Sequence, residues 1–299
     1  MTERANTNRV VSFSENELWK KVRSFWSVYK TTKIGLVGLV IVSSFVFIAI
    51  FAPFIAPYDP MKSVDEPLLP PSLSHLLGTD QLGRDIFSGL IHGTRISLMV
   101  GALASAMYVI IGTLIGVLSG YYGGIVDSVL MRITDTFIIL PTLPLMLIII
   151  SFLGTGIHVI IIVIAVLTWT GTARMVRAQT LSLKERPFVE AAKAIGAKDF
   201  RIIFHHILPN TLPVIFANAI LGVVDAILAE AGISFLGYGD PFHLSWGMIL
   251  NYAQKAGALV TGRYWYIISP GLCITLLTAG FAFVSYGLDQ VLNPRLRRR

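Results

Sequence analysis

The chain has 299 residues, 54% of them hydrophobic and 14% charged, with a mean hydropathy of +0.71 and a formal net charge of +7. Soluble domains carry roughly 25% charged residues, so this composition excludes an ordinary soluble domain and predicts several membrane spans. A single cysteine, Cys273 in an apolar run, excludes an internal disulfide and a Cys-rich metal site; it reads as a lipid-facing or packing residue.

The tail 1–33 is polar and holds seven Lys/Arg. The first apolar run, 34–56, starts too far in for a cleaved signal and is long enough to span, so it reads as a retained signal-anchor. A polar segment, 57–95, follows. Its acids Asp59, Asp65, Glu66, Asp80 and Asp85, set against Lys62 and Arg84, make it net negative. The second span is expected over 96–119. Gly112, Gly116 and Gly120 recur every four residues and form one small stripe, suited to close helix packing within the chain rather than to a dimer contact. The third span, 132–153, contains Pro141 and Pro144, which remove backbone donors and predict a kink. The fourth, 157–173, is the shortest. A loop over 174–212 leads to the fifth span, 213–236, and the sixth is expected over 265–288. The core would then be 96–288, followed by a basic tail, 289–299.

Charge orients the spans. The tail 1–33, Arg132, the loop 174–212 and the tail 289–299 together carry nineteen of the twenty-four Lys/Arg. An even number of spans puts both termini on this basic side, which is therefore cytoplasmic. The net charge is thus mostly topology, with arginines of "NPRLRRR" placed to touch anionic lipid. No nucleic-acid-binding module is recognisable.

The loop 174–212 is long for a connector. Pro187 can open a helix, Glu190 falls in its first turn where a negative charge suits the dipole, and Gly196 can end it. Phe188, Ala191, Ala192 and Ile195 form one apolar face. A second short helix is expected from about Ala197, with Phe200, Ile203, Phe204 and Ile207 holding it to the spans and Pro209 closing it. This pair of amphipathic helices fits docking to a protein or lying on lipid.

Enzyme signatures are missing. There is no G-x-x-x-x-G-K-[ST] loop, no H-E-x-x-H and no G-x-S-x-G, and the adjacent His205 and His206 do not share a helix face. No catalytic, cofactor or metal site is therefore expected in the chain. Three carboxylates, Asp135, Asp225 and Glu230, fall inside spans. They are candidates for lining a pathway or pairing with a partner subunit, with structural pairing and proton relay as alternatives.

"EAAKAIG…HHILPN" resembles the EAA loop of ABC importer permeases, whose pattern is E-A-A, three residues, Gly, nine residues, then Ile-x-Leu-Pro. Glu190, Ala191, Ala192, Gly196, Leu208 and Pro209 match, while His206 stands at the Ile position, as in the dipeptide, oligopeptide and nickel subfamily. "HLLGTDQLGRDIFSGLIHGTRISLMVG", "GYYGGIVDSVLMRITD", "SFLGYG" with "SWGMIL", and "GLDQVLNPRLR" resemble further landmarks of that subfamily, in order. The resemblance implies an all-α membrane protein with the type I importer transmembrane fold of six helices and a cytoplasmic coupling-helix loop. It implies a C-type permease for peptides, paired with a different permease, with two ATPase subunits that bind ATP and Mg²⁺, and with an extracytoplasmic substrate-binding protein. Segment 57–95 would face that protein or line the outer gate. On this resemblance Glu190, Ala191, Ala192, Gly196, His206 and Pro209 couple the chain to the ATPases. Oligosaccharide or nickel uptake is the alternative within this architecture; an ion-coupled carrier or a membrane enzyme is the alternative outside it.

Overall fold

The computed structural model describes Arg23 and residues 26–292. Most of the basic tail 1–33 and the "NPRLRRR" end fall outside the described residues. Among the described residues the protein is mostly helical, with one isolated bridge, Thr79–Asp85, and no strand. The helices are α1 (Lys33–Ile55), α2 (Ile86–Tyr122), α3 (Gly124–Ile139), α4 (Thr142–Leu153), α5 (Ile157–Thr168), α6 (Thr170–Lys184), α7 (Pro187–Ala194), α8 (Asp199–Tyr238), α9 (Trp246–Lys255) and α10 (Tyr264–Leu292). Four of them, α1, α2, α8 and α10, are long and apolar enough to cross a membrane alone. Counting each of the bent pairs α3/α4 and α5/α6 as one span gives up to six.

Several expected boundaries move. The second span begins at Ile86, ten residues earlier than expected, because Asp85 caps it by accepting the Ser88 N–H at 2.7 Å. The kink expected from Pro141 and Pro144 is an 88° break at Leu140–Pro141. Pro144 lies in the first turn of α4, where no intrahelical donor is needed. The fourth span bends by 43° at Trp169 and then runs on as α6 to Lys184, so much of the expected loop 174–212 is helix.

The 37-residue α2 is the spine, packed against α1, α5, α6 and α8. The glycine stripe lies on α6, as its spacing predicts. A Cβ at Gly112, Gly116 or Gly120 would come within 2.6, 2.5 and 2.8 Å of Thr172, Ala173 and Thr180. Only residues without a side chain allow this approach, and close packing of this kind drives helix association where lipid removes the hydrophobic difference.

At the opposite end, the segment before α2 folds as a clasp. Asp80 accepts the Leu82 and Arg84 N–H groups at 2.7 and 2.9 Å and the Arg84 Nε at 2.6 Å. The Arg84 guanidinium lies over the Tyr252 ring of α9, and the Tyr266 hydroxyl of α10 donates to Gln81 at 3.0 Å. His75 bonds Asp85 at 2.8 Å and stacks near Tyr58. Asp80 and Asp85 are therefore buried and internally paired, and the negative surface expected of 57–95 reduces to Asp59, Asp65 and Glu66, with Asp59 held by Lys62 at 3.1 Å. Trp246 locks α9 to α2 by donating to the Leu90 carbonyl at 3.0 Å. Cys273 is half-buried and packs beside this cluster.

Gly116→Leu sets a side chain against the Ala173 carbonyl. It is expected to destabilise the detergent-solubilised protein by about 3 kcal/mol, at the upper end of the usual overpacking cost, measured as a fall in thermal midpoint. Gly124→Leu, where a side chain meets no atom within 4 Å, serves as the control and reports only the strain of its positive φ.

Candidate coupling site and membrane cavity

Helix α7 starts with Pro187 in its first turn and carries Glu190 there, exposed at the surface. It ends in a Schellman motif: the Gly196 N–H bonds the Lys193 carbonyl at 2.9 Å and the Ala197 N–H bonds the Ala192 carbonyl at 3.0 Å. Gly196 makes this possible with φ +79°, and a Cβ there would meet nothing within 4 Å. The corner turns the chain into α8.

The buried face of α7 is Val189 and Ala192, not the expected set of Phe188, Ala191, Ala192 and Ile195. Both enter one core with Tyr121 of α2, Val176 of α6 and Ile202, Ile203 and Ile207 of α8. Glu190, Ala191 and Ile195 face outward, with Ile195 85% exposed. Phe200 and Phe204 also stay at the surface, stacked on each other at 4.3 Å, so only Ile203 and Ile207 of the expected bulky face anchor the unit. An acid flanked by exposed Phe188, Ile195 and Phe200 is a surface built to be covered.

Pro209 does not close a second short helix. Helix α8 runs on from Asp199 through Pro209 to Tyr238, 40 residues in all, widening into a π turn over Ile203–Ile207 and kinking near its far end at Gly237, whose φ is +93°. In that turn the Leu208 N–H reaches the Ile203 carbonyl, five residues back, so the missing donor of Pro209 is accommodated without ending the helix. His206 lies in the same turn, its ring 6.2 Å from Phe188, and so bridges α8 to α7.

Residues outside the loop pin it in place. The Tyr121 hydroxyl donates to Asp199 at 2.6 Å, fixing the first residue of α8 to the end of α2. Lys184 and Lys193 approach the Tyr121 ring at 5.8 Å each. Arg177 of α6 grips Asp127 of α3 with two bonds of 2.5 and 2.6 Å, and Ser119 of α2 donates to the same carboxylate. Sequence reasoning missed Tyr121, Asp127, Arg177 and Asp199 as anchors, since Asp127 and Arg177 are fifty positions apart and no local pattern joins them. Their signal was the landmark "GYYGGIVDSVLMRITD", which contains Tyr121 and Asp127.

The three intramembrane acids have different surroundings. Asp135 pairs with Arg174 at 2.5 Å, linking α3 to α6. Glu230 is 2% exposed and accepts the Ser234 hydroxyl at 2.6 Å, one turn on in the same helix. Asp225 makes no ion pair or hydrogen bond among the described residues. It opens instead into a cavity of about 420 Å³ with Tyr108, Thr142, Met146, Thr170, Thr172 and Asn218. Asn218 donates to Thr172 at 2.8 Å across the cavity wall.

The chain thus combines a long apolar spine, two bent helix pairs and a short helix with an exposed face. Residues 112–298 match the family described as binding-protein-dependent transport system inner membrane component. The chain belongs to that family. Residues 19–71 further match the N-terminal TM domain of oligopeptide transport permease C. The chain is 39% identical to the dipeptide transport system permease protein DppC of Bacillus subtilis over 276 residues, 91% of this chain and 85% of that protein. It is 37% identical to the oligopeptide transport system permease protein OppC of the same organism, covering 93% of this chain and 92% of that protein. It is also 35% identical to the glutathione transport system permease protein GsiD of Pectobacterium atrosepticum, with 92% and 91% covered. The protein is thus an integral membrane transport component of the C-type permease group, and its family is one of permeases rather than catalytic subunits.

Arg177→Ala leaves the Asp127 carboxylate without its cation. Since this pair is only partly buried, the expected loss is about 2 kcal/mol, below the usual cost of breaking a fully buried pair. The double variant Asp127→Ala/Arg177→Ala is expected to be more stable than Arg177→Ala alone in thermal denaturation.

Proposed function

We propose that this chain is one of two permease subunits of an ATP-driven importer of short peptides, with both termini on the cytoplasmic side. The observation that carries this reading is the free face of α7: Glu190, Ala191 and Ile195 stand in solvent while Val189 and Ala192 lock the same helix into the membrane core. Two ATPase subunits, holding ATP and Mg²⁺, receive this face. A second, different permease completes the pathway, and an extracytoplasmic binding protein delivers the solute. The peptide class rests on the names of the similar permeases, which transport dipeptide, oligopeptide or glutathione.

The coupling follows from stiffness. A push on α7 meets a buried contact on one side and a hydrogen-bonded glycine corner on the other. It passes into α8, whose 40 residues extend about 60 Å at 1.5 Å per residue. Closure of the ATPase pair therefore moves α8 as a rigid body and rocks the two permeases between inward- and outward-open states. Pro209 and His206 keep the entry of α8 continuous with α7, and Gly196 leaves room at the corner for the docked subunit.

The reading is tested by purifying the chain from native membranes and reconstituting it. Stable co-elution with two ATPases and a second permease, and ATP-dependent dipeptide uptake, are expected. Uptake by this chain alone, without ATP, would overturn it. Glu190→Arg and Gly196→Trp are expected to change the folding stability of the chain by no more than about 1–2 kcal/mol, since neither residue packs internally and only the positive φ of Gly196 is strained. Both are expected to abolish substrate-stimulated ATP hydrolysis in the assembled transporter.

A further inference from the structure

We propose that the cavity around Asp225 is a solute-binding station for the ammonium group of the transported molecule, with Asp225 as its counter-charge. The proposal rests on the peptide-importer reading and adds the chemistry by which the pathway holds its cargo.

Both broken spans meet at this cavity. Thr142, the first residue of α4 after the 88° break, lines it, and so do Thr168, Thr170 and Gly171, which flank the 43° bend at Trp169. Backbone freed from helix at membrane depth is tolerated only where protein buries it or where it borders a water-filled cavity. Two interruptions converging on one space indicate a hydrated space. Helix α8 contributes Asn218 and Asp225, two turns apart on one face and within its apolar stretch, well away from both ends of the helix.

The lining mixes apolar side chains, Leu143, Met146 and Leu167 among them, with polar ones, and carries one charge. Tyr108, Asn218 and the threonines supply neutral donors and acceptors, and no Lys, Arg or His borders the space. Asp135 pairs with an arginine, and Glu230 is enclosed with a hydroxyl on one oxygen and its Oε2 left without a partner; Asp225 has no partner among the described residues and is the one of the three that borders this cavity. An unpaired carboxylate at this depth is costly to maintain, and a cation relieves that cost. Every peptide with a free N-terminus brings one ammonium group whatever its side chains. A single carboxylate among hydroxyls therefore holds peptides of different sequence by the feature they share. The cavity, about 420 Å³, is of the size of small-molecule sites. One charge-assisted contact retains the solute weakly enough for release.

The test uses the complete transporter, with both permeases, the ATPases and the binding protein, in proteoliposomes with radiolabelled dialanine. Asp225→Asn is expected to co-purify with all subunits, while dialanine uptake falls about tenfold, the loss expected for one charge-assisted hydrogen bond. Asp225→Glu is expected to restore most of the uptake, and Asp225→Lys to abolish it. Unchanged uptake by Asp225→Asn would overturn the proposal. So would loss of the second permease from the purified Asp225→Asn complex, which would assign the carboxylate to an ion pair between subunits. A wild-type complex that takes up no dialanine would overturn the peptide reading itself, and the proposal with it.

Discussion

The backbone contact between α2 and α6 is the constraint on which the rest of the basic end depends. Apolar side chains gain little by leaving lipid for one another, so helices associate through close packing. Gly112, Gly116 and Gly120 bring α2 against the carbonyl of Ala173 and the side chains of Thr172, Val176 and Thr180. That approach fixes Arg177, one residue past Val176, where it reaches Asp127 of α3. It also fixes Tyr121, one residue past Gly120, where it reaches Asp199. Both anchors of the α7–α8 corner are therefore set by the register of one glycine stripe.

Much of this was legible in the sequence, and the parts that were not have physical reasons. The four long helices, the packing of the glycine stripe and the corner at Gly196 follow from local spacing. The break at Trp169 carries no proline or glycine of its own and left no local sign. Pro209 misled in the opposite sense, since a π turn absorbs it and α8 passes through. The face of α7 that is buried depends on what packs against it. Val189, outside the four-residue apolar pattern, is buried because Val176 and Ile202 share its core, while Ile195 within the pattern points outward. Likewise the acids of 57–95 read as surface charge until Arg84 and His75 are seen to consume Asp80 and Asp85. The site residues of the loop were recognisable through their likeness to a family motif, whereas the anchors Asp199 and Arg177 required the fold.

The three intramembrane carboxylates illustrate how one residue type takes different parts by position. Asp135 is near enough to the basic end to meet an arginine. Glu230 is enclosed and takes a hydroxyl from the next turn. Asp225 faces the space where two helices lose their continuity. Burial, charge partner and backbone geometry separate them more sharply than sequence context does.

The clasp before α2 carries a consequence for how the chain is made. Arg84 needs Tyr252 as its stacking partner, and Gln81 needs Tyr266, yet these partners are encoded more than 160 residues later. Residues 57–85 therefore cannot reach their final shape while the ribosome is still producing the middle spans. The first two helices insert early, but the turn between them stays unlatched until α9 and α10 arrive. Completion of the last helix is thus reported at the far end of the first loop, and a truncated chain lacking α10 would expose an unfastened segment there for proteases to find.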